Sequence, residues 1–535
     1  MINVYKTEAW LGREPEIPAS AITSSLEADV VVVGGGLAGV AAVRQAAEQG
    51  ASVLLFEKCE TVQGRTGDFT TFGSKLAETW GRSQVDRVRL VNDLMRDMGY
   101  KVSQNVLRKW ALHAGEAFDW YVSAYPDLVV LPSFTESPPP GCKCWVQPKR
   151  YPLPDAYDET RPERFSCYQY NVFIRPTHVP VLKANLAAAE GTGNVQAFYS
   201  TRVLKLLRQG GGRVQGVVAQ DGNGSYIEAR AKSGVILATG DFMNDKAMLQ
   251  RFLPYSANTP QYWNSYDKND NPSNTGDGHK MGLWVGAKLQ DQPPAPLAHH
   301  MGSVFGCSDF LLLDSRGLRF VNEDVPGLQI HEQLETLPDK TAWQFVDSNW
   351  RRQIPHVYLS HGTVSYVLED EAFDSGEVFA GLNTTDNVVS PRLIEAARES
   401  GRLLRANTLE DLIERTGLPS ETALASIRRY NDLCRSQNDE DFGKAPGRMF
   451  PVEKGPFYAA KLTPANLLAV LFGLQCDEET HVYDTAGRII PGLYAAGNVQ
   501  GNRVAVGYPL TVPGFSHSLA LTFGRIAGGN AARGV

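Results

Sequence analysis

No apolar run in this chain comes near the roughly 20 residues that a membrane-spanning helix needs. The longest, such as residues 467–474, stop far short, so membrane insertion is not expected. Residues 1–25 carry neither a basic-then-apolar leader nor a twin-arginine pair, which points to a cytoplasmic protein. Runs of Lys and Arg are missing too, and the formal net charge is −7. Without a basic face to neutralise phosphates, a nucleic-acid partner is not expected. Cysteine is sparse and odd in number, seven in all: Cys59, Cys142, Cys144, Cys167, Cys307, Cys434 and Cys476. A fully paired disulfide framework is excluded, and reduced thiols suit the cytoplasm. No C-x-x-C-H haem attachment signature occurs, so electrons cannot arrive through c-type haems on this chain. Cys142-Lys143-Cys144 lacks a second pair at zinc spacing and follows a proline-rich loop, Pro138-Pro139-Pro140-Gly141. No metal site is expected there.

What is present is ordinary globular material, 43% hydrophobic and 21% charged. At 535 residues the chain exceeds one hydrophobic core, and two or more domains are expected. The informative stretch comes early. Residues 28–33 are a short Val-rich run followed at once by Gly34-Gly35-Gly36-Leu37-Ala38-Gly39, then an Ala-rich helical pattern to Gln49, then a second apolar run, 52–56, ending at Glu57. This reads as strand, glycine turn, helix, strand: one βαβ unit with a parallel pair. Gly34, Gly36 and Gly39 make G-x-G-x-x-G. Its first glycine permits the tight turn, the second lets backbone approach a pyrophosphate, and the third lets helix pack on strand. The helix N-terminus then offers amide donors and partial positive charge to the phosphates. Glu57 stands 18 residues beyond Gly39, where a carboxylate can accept from both ribose hydroxyls. NAD and FAD share this unit, so it does not choose between them.

Downstream, residues 84–124 show helical periodicity, and 132–154 read as an irregular proline-dense loop. Residues 195–230 alternate apolar and polar, broken by glycine clusters, and suggest a β-meander. Residues 234–240 read as another buried strand ending in a glycine turn. From about 290 to 464 the pattern becomes mixed α+β, with helices expected at 390–400, 408–416 and, past Gly417-Leu418-Pro419, up to 435. An amphipathic helix is expected from about 515 to 530. No internal repeat is present.

Glu57-Lys58 leads to Gln63-Gly64-Arg65-Thr66-Gly67. Far downstream come 234–241 (Gly-Val-Ile-Leu-Ala-Thr-Gly-Asp), Asn274-Thr275-Gly276-Asp277-Gly278-His279, Gly317-Leu318-Arg319-Phe320-Val321-Asn322-Glu323 and 492–498 (Gly-Leu-Tyr-Ala-Ala-Gly-Asn). In this order the segments resemble the FAD domain of the fumarate reductase and succinate dehydrogenase flavoprotein superfamily, which includes urocanate reductase and the 3-ketosteroid dehydrogenases. The resemblance implies an α/β fold. A Rossmann-like, glutathione-reductase-like FAD-binding domain would be built from 1–290 and 465–535, with an inserted α+β capping domain at 291–464. It implies FAD held by Gly34, Gly36, Leu37, Ala38, Gly39, Glu57, Lys58, Arg65, Thr66, Gly67, Asp68, Val203 (through its backbone to adenine), Ala238, Thr239, Gly240, Asp277, Gly497, Asn498, Ser516 and Leu519. The last helix would point its N-terminus at the flavin N1/O2 edge and favour the anionic reduced flavin.

Departures from the family matter as much. Fumarate reductases follow Arg-Phe-Val-Asn-Glu with an Arg proton donor; here Asp324-Val325-Pro326-Gly327 stands instead. Their substrate-gripping His and Arg before a Gly-Gly-Asn are replaced by 502–509 (Asn-Arg-Val-Ala-Val-Gly-Tyr-Pro) and Thr511-Val512-Pro513-Gly514, so a dicarboxylate substrate is disfavoured. Residues 64–72 hold no His for a covalent flavin link, and non-covalent FAD is expected. Tyr508 followed by Pro513-Gly514 is similar to the ketosteroid dehydrogenase branch, where a Tyr and a backbone amide polarise the substrate carbonyl. Tyr508 thus either protonates an enolate or packs as an aromatic beside the flavin. Arg503 either binds a carboxylate or anchors its loop, and His300 is a further acid/base candidate set against an ordinary surface or core histidine.

The reaction class expected is reduction, or formation, of a C=C bond conjugated to a carbonyl, by hydride transfer at flavin N5 with a protein acid/base and a small unsaturated carbonyl substrate. The alternatives are a 3-ketosteroid-type dehydrogenase running oxidatively, a fumarate- or urocanate-like reductase, and a flavin-binding partner without turnover, which would lack an open cleft. No second nucleotide fingerprint is present, so direct NAD(P)H use is not indicated and no electron donor is named. Nothing in the sequence fixes an oligomeric state.

Overall fold

The computed structural model describes residues 8–81, 84–133, 136–148, 168, 170–259, 261, 264–299, 304–305, 309–325, 327–353, 365–366, 388–389, 391–463 and 466–534. Its scaffold is the early βαβ unit extended on both sides. Strand β1 (Ile22–Val33), helix α1 (Leu37–Glu48) and strand β2 (Val53–Phe56) form as the pattern dictates, with β1 and β2 parallel. Strand β3 (Val195–Phe198) adds beyond β2, while β4 (Tyr226–Leu237) and β5 (Ile489–Ala495) add on the other side. The parallel order is β5-β4-β1-β2-β3. Val30, Val32 and Ile236 enter one core, and Val31, Val33, Val235 and Leu237 enter the other. A sheet buried on both faces needs such continuous apolar runs.

The expected β-meander is built from Arg202–Arg208, Val214–Gln220 and the first half of β4, all antiparallel. Three details differ from the sequence reading, the first being that Trp145–Pro148, expected within an irregular loop, is a strand paired antiparallel with Asn171–Arg175. Val195–Phe198 belongs to the parallel sheet, not the meander. Residues 226–237 are one strand where two were expected. Its first half alternates in burial because it pairs at the meander, and its second half runs wholly buried between β1 and β5.

Helix periodicity proves accurate. Residues 84–124 contain helices Arg87–Asp97 and α2 (Gln104–Ser123), N-capped by the Asp86 and Ser103 side chains. Helix α3 (Asp277–Trp284) starts within the Thr275-Gly276-Asp277-Gly278 segment, with Gly276 as its N-cap, and α4 (Phe515–Arg533) closes the chain. Helix α4 lies on α1 at very short range. A Cβ at Gly524 or Gly528 would overlap the backbone of Ala38 or Ala42, one turn apart on the facing helix. Small residues at i and i+4 on both helices let the two ends of the chain meet at one place. Among the described residues no helix is long and apolar enough to cross a membrane.

A separate four-stranded antiparallel sheet joins Leu311–Asp314, Ala342–Val346, Phe457–Leu462 and Leu403–Ala406, covered by helices Leu409–Thr416 and Ser420–Ser436. Helix Pro391–Glu399 lies where the sequence placed it. Between this sheet and the parallel one runs a two-stranded antiparallel ribbon, Ala295–His299 against Asn466–Leu471. The fold is thus the expected α/β one, a Rossmann-like domain with an inserted α+β region.

Candidate active site

A cleft opens at the C-terminal ends of β1, β2 and β4, where a parallel sheet binds its ligands. Its floor is the first glycine turn. Gly34 has φ +107, a value L side chains avoid, and a Cβ there would collide with the Ala238 carbonyl. Gly39 lies in helix α1 with no room for a Cβ against the Gly34 carbonyl oxygen, so it sets the helix-to-turn distance. Helix α1 starts at Gly36 with no side-chain cap and no acidic residue in its first turn. Its first amides, those of Leu37 and Ala38 among them, have no intrahelical acceptor, and both residues line the cleft. Glu57 braces the turn from behind: Oε2 accepts the Gly35 N–H at 2.5 Å and Oε1 the Cys59 N–H at 2.7 Å.

Charged residues tie distant segments together along the walls. Asp277 pairs with Lys58 at 3.2 Å and with Arg202 at 2.7 Å. Burial alone would raise the Asp277 carboxyl, but the two cations outweigh it and hold it at about 2. Asp241 is fully buried and accepts from Met243 N–H at 2.9 Å and Asn498 Nδ2 at 3.1 Å. Burial raises its carboxyl pKa against the pull of Arg65. Arg65 in turn donates to the Leu468 carbonyl at 2.7 Å. N-terminal, central and C-terminal segments thus share one wall.

The far end belongs to helix α4. Gly514, at φ +75, starts it without a side-chain cap. The Ser516 N–H, in the helix's first turn, donates to the Tyr508 hydroxyl at 2.9 Å. Tyr508 is 2% exposed, and burial pushes its phenol pKa up, so it holds its proton at neutral pH. Beside it, His517 Nδ1 sits 2.9 Å from the Asp68 carbonyl and His178 Nδ1 sits 2.8 Å from the Tyr121 hydroxyl. Burial lowers both imidazole pKa values, which keeps the pair neutral.

Most expected cofactor residues line this cleft: Gly34, Gly36, Leu37, Ala38, Glu57, Lys58, Arg65, Thr66, Asp68, Val203, Ala238, Thr239, Gly240, Asp277, Gly497, Asn498 and Ser516, with Tyr508 among them. Gly39, Gly67 and Leu519 stand behind it. A Cβ at Gly67 would overlap the Ile174 carbonyl oxygen, and Leu519 is in the core. Arg503 also lies outside the lining, 1% exposed, with Nε donating to the Gln500 carbonyl at 3.0 Å and Nη1 making no hydrogen bond. His300 lies outside the described residues. Sequence reasoning missed Cys59, Gln63, Arg175, His178, Arg202, Asn274 and His517, all on the lining, and the buried Asp241. Asp241 had a signal, since it ends the Ala-Thr-Gly run; the two histidines had none. Asp324, where fumarate reductases carry their Arg donor, is ion-paired to Arg448 and accepts the Ala445 N–H. Among the described residues no cluster of His, Cys, Asp or Glu could hold a metal ion.

The donor set suits a dinucleotide. Two helix N-termini without side-chain caps or first-turn acids face one cleft, and a glycine turn lets the ligand approach backbone. Gly34, Gly36, Leu37, Ala38 and Asn498 would hold the pyrophosphate, with Glu57 and Val203 toward the adenosine.

Comparison with known proteins agrees. The FAD binding domain family profile matches residues 29–511. A vinyl phenol reductase of Lactiplantibacillus plantarum is 26% identical, over 94% of this chain and 96% of that one. A 3-oxosteroid 1-dehydrogenase of Mycolicibacterium smegmatis is 25% identical over the same shares, 94% and 96%. A Rhodococcus jostii 3-ketosteroid-Δ4-(5α)-dehydrogenase in complex with 4-androstene-3,17-dione superposes with a TM-score of 0.69 at 22% identity, covering 97% of this chain and 100% of that one. At that identity the superposition shows the fold alone. The chain belongs to the FAD-binding flavoprotein superfamily of fumarate reductases, urocanate reductases and 3-ketosteroid dehydrogenases, and it is an FAD-dependent oxidoreductase acting on CH–CH groups.

Proposed function

We propose that this enzyme reduces a C=C bond conjugated to a carbonyl group, with non-covalent FAD and with Tyr508 as the group that polarises the carbonyl and delivers the proton. The observation that carries this reading is the placement of Tyr508, a cleft-lining residue whose hydroxyl accepts the Ser516 N–H at 2.9 Å. When bound, FAD supplies the hydride chemistry. A phenol that accepts a backbone N–H becomes a stronger donor. Its oxygen can then stabilise charge developing on a substrate carbonyl, helped by the positive end of helix α4. Arg503, buried behind the lining, supports this chemistry through the loop it anchors. Residues 291–464 serve as the cap and 1–290 with 465–535 as the cofactor domain. In support, ribbon residues Leu297, Leu468 and Ala469 line the cleft, so movement there would change access to it. Non-covalent FAD is supported by the absence of His from residues 64–72.

The names of the relatives divide between reduction of a vinyl phenol and dehydrogenation of a 3-oxosteroid, so the assay runs both ways. The FAD enzyme is photoreduced anaerobically and mixed with enones, enoates, a 4-vinylphenol and 3-ketosteroids, while oxidised enzyme is offered the steroids with an artificial acceptor. Reoxidation by a conjugated carbonyl compound is expected. Tyr508→Phe should keep FAD yet slow that reoxidation by on the order of 10²-fold. Wild-type rates in Tyr508→Phe, with an inactive Arg503 variant, would transfer the role to Arg503.

A further inference from the structure

The loop that carries Tyr508 is not relaxed. Val506 is a β-branched residue at φ +71, in the left-handed region that such side chains avoid. Gly507 N–H bonds back to the Ala505 carbonyl at 2.9 Å, which closes a γ-turn over Val506. Val506 is half exposed, so packing of its own side chain does not impose this conformation. The surroundings must hold it.

Three contacts from one short segment do so. Gln290 is 3% exposed. Its Oε1 accepts the Asn502 N–H at 3.1 Å and its Nε2 donates to the Val504 carbonyl at 3.3 Å. Three residues on, the Pro293 carbonyl accepts the Val506 N–H at 3.2 Å. Gln290 is itself anchored, since its N–H donates to the Gly473 carbonyl at 2.9 Å and its Nε2 also reaches the Gln292 carbonyl. Residues 290–293 lead straight into ribbon strand Ala295–His299, and Gly473 follows its partner Asn466–Leu471. The base of the ribbon therefore holds the 502–506 backbone at three points.

We infer that Gln290 is a positioning residue, whose carboxamide locks the 502–508 loop to the ribbon base and so fixes where the Tyr508 hydroxyl stands. The inference rests on the Tyr508 reading above. With the carboxamide removed, the buried Val504 carbonyl and the half-buried Asn502 N–H lose their partner. The strained γ-turn opens, and Tyr508 drifts from the Ser516 N–H. Gln290 itself does not line the cleft, and the glycine turn at Gly34–Gly39 is not among its contacts.

Gln290→Met keeps the shape and removes both hydrogen bonds to the loop, together with the one to the Gln292 carbonyl. In the FAD-loaded protein, hydrogen–deuterium exchange of peptides covering 500–510 should quicken about 10-fold, with β1 and α1 unchanged. This measurement needs no substrate, and unchanged exchange there overturns the inference. The second arm is a cycle of Gln290→Met, Tyr508→Phe and the double variant, assayed by reoxidation of photoreduced enzyme with the most reactive enone of the panel. Gln290→Met should lower the saturating rate about 10-fold or more, and the double variant should be no slower than Tyr508→Phe alone. Independent, multiplicative losses overturn the inference, because Gln290 would then act elsewhere. A slow Tyr508→Phe beside a wild-type Gln290→Met also overturns it and leaves the Tyr508 reading intact. Wild-type rates in Tyr508→Phe overturn the Tyr508 reading itself.

Discussion

Glu57→Gln offers the sharpest test of how the cofactor cleft is built. The substitution preserves shape and removes one acceptor oxygen. Both oxygens are committed in the structure, to the Gly35 N–H at 2.5 Å and the Cys59 N–H at 2.7 Å. Whichever way the new amide turns, its NH2 faces a buried backbone donor. A charge-assisted hydrogen bond is worth about 1.5–3 kcal/mol, and leaving a buried donor unsatisfied costs about 1–3 kcal/mol. These overlap, so a loss of roughly 2–4 kcal/mol is expected, not their full sum. Part of it falls on the apoprotein and lowers its thermal midpoint. The rest appears when FAD binds, because the turn must be ordered then, and FAD affinity should fall by about 30-fold or more. The assay is titration of apoprotein with FAD, followed by quenching of flavin fluorescence, alongside thermal melts without FAD. A midpoint and an FAD affinity within about 3-fold of wild type would refute the bracing role. An affinity loss with an unchanged apoprotein midpoint would instead place the whole effect on the ribose.

Two further outcomes follow from the same geometry. Gly39→Ala sets a Cβ against the Gly34 carbonyl and helix α1 cannot yield, so the protein should be isolated without flavin and show no FAD uptake by absorbance. The Asp277 carboxyl, held at about 2 by Lys58 and Arg202 against burial, lies below its unfolded value of about 3.9. Its contribution to stability is therefore complete above about pH 4 and lost as pH falls toward 2. Urea midpoints of the apoprotein between pH 5 and pH 2.5 should drop more steeply in wild type than in Asp277→Asn, and parallel profiles would contradict the ion-pair account.

How much was legible depended on whether a residue's role lay in local pattern or in tertiary placement. The βαβ unit could be read because glycine spacing, flanking apolar runs and Glu57 constrain one another over a short stretch. Helix α4 could be read from its own amphipathic pattern, expected at about 515–530. The single strand β4 could not, because its period changes midway. Alternation at Tyr226–Arg230 marks a hairpin with one exposed face, and 234–237 mark a strand covered on both, so one element showed two patterns. Arg503 looked like a cleft residue since sequence does not report burial, and the structure puts it behind the lining. Gln290 had no signal at all, because a glutamine that satisfies loop backbone has no period and no motif. The Gly524 and Gly528 contact with α1 was also hidden, as small residues in an Ala-rich helix look like filler.

The ribbon has a topological consequence. His299 and Asn466 are cross-strand partners, so their Cα atoms lie about 5 Å apart. The chain leaves the parallel sheet and returns to it through one doorway. Seen from that sheet, everything between is a loop whose ends are already closed. Its length enters the free energy only logarithmically, with each doubling costing about 0.6 kcal/mol. The insert can therefore shrink, grow or be exchanged with little penalty to the scaffold, and a two-residue Asn-Gly hairpin turn could in principle seal the gap. With the insert as the proposed cap, substrate selectivity is free to change on one side of that doorway while the dinucleotide cradle on the other stays as it is.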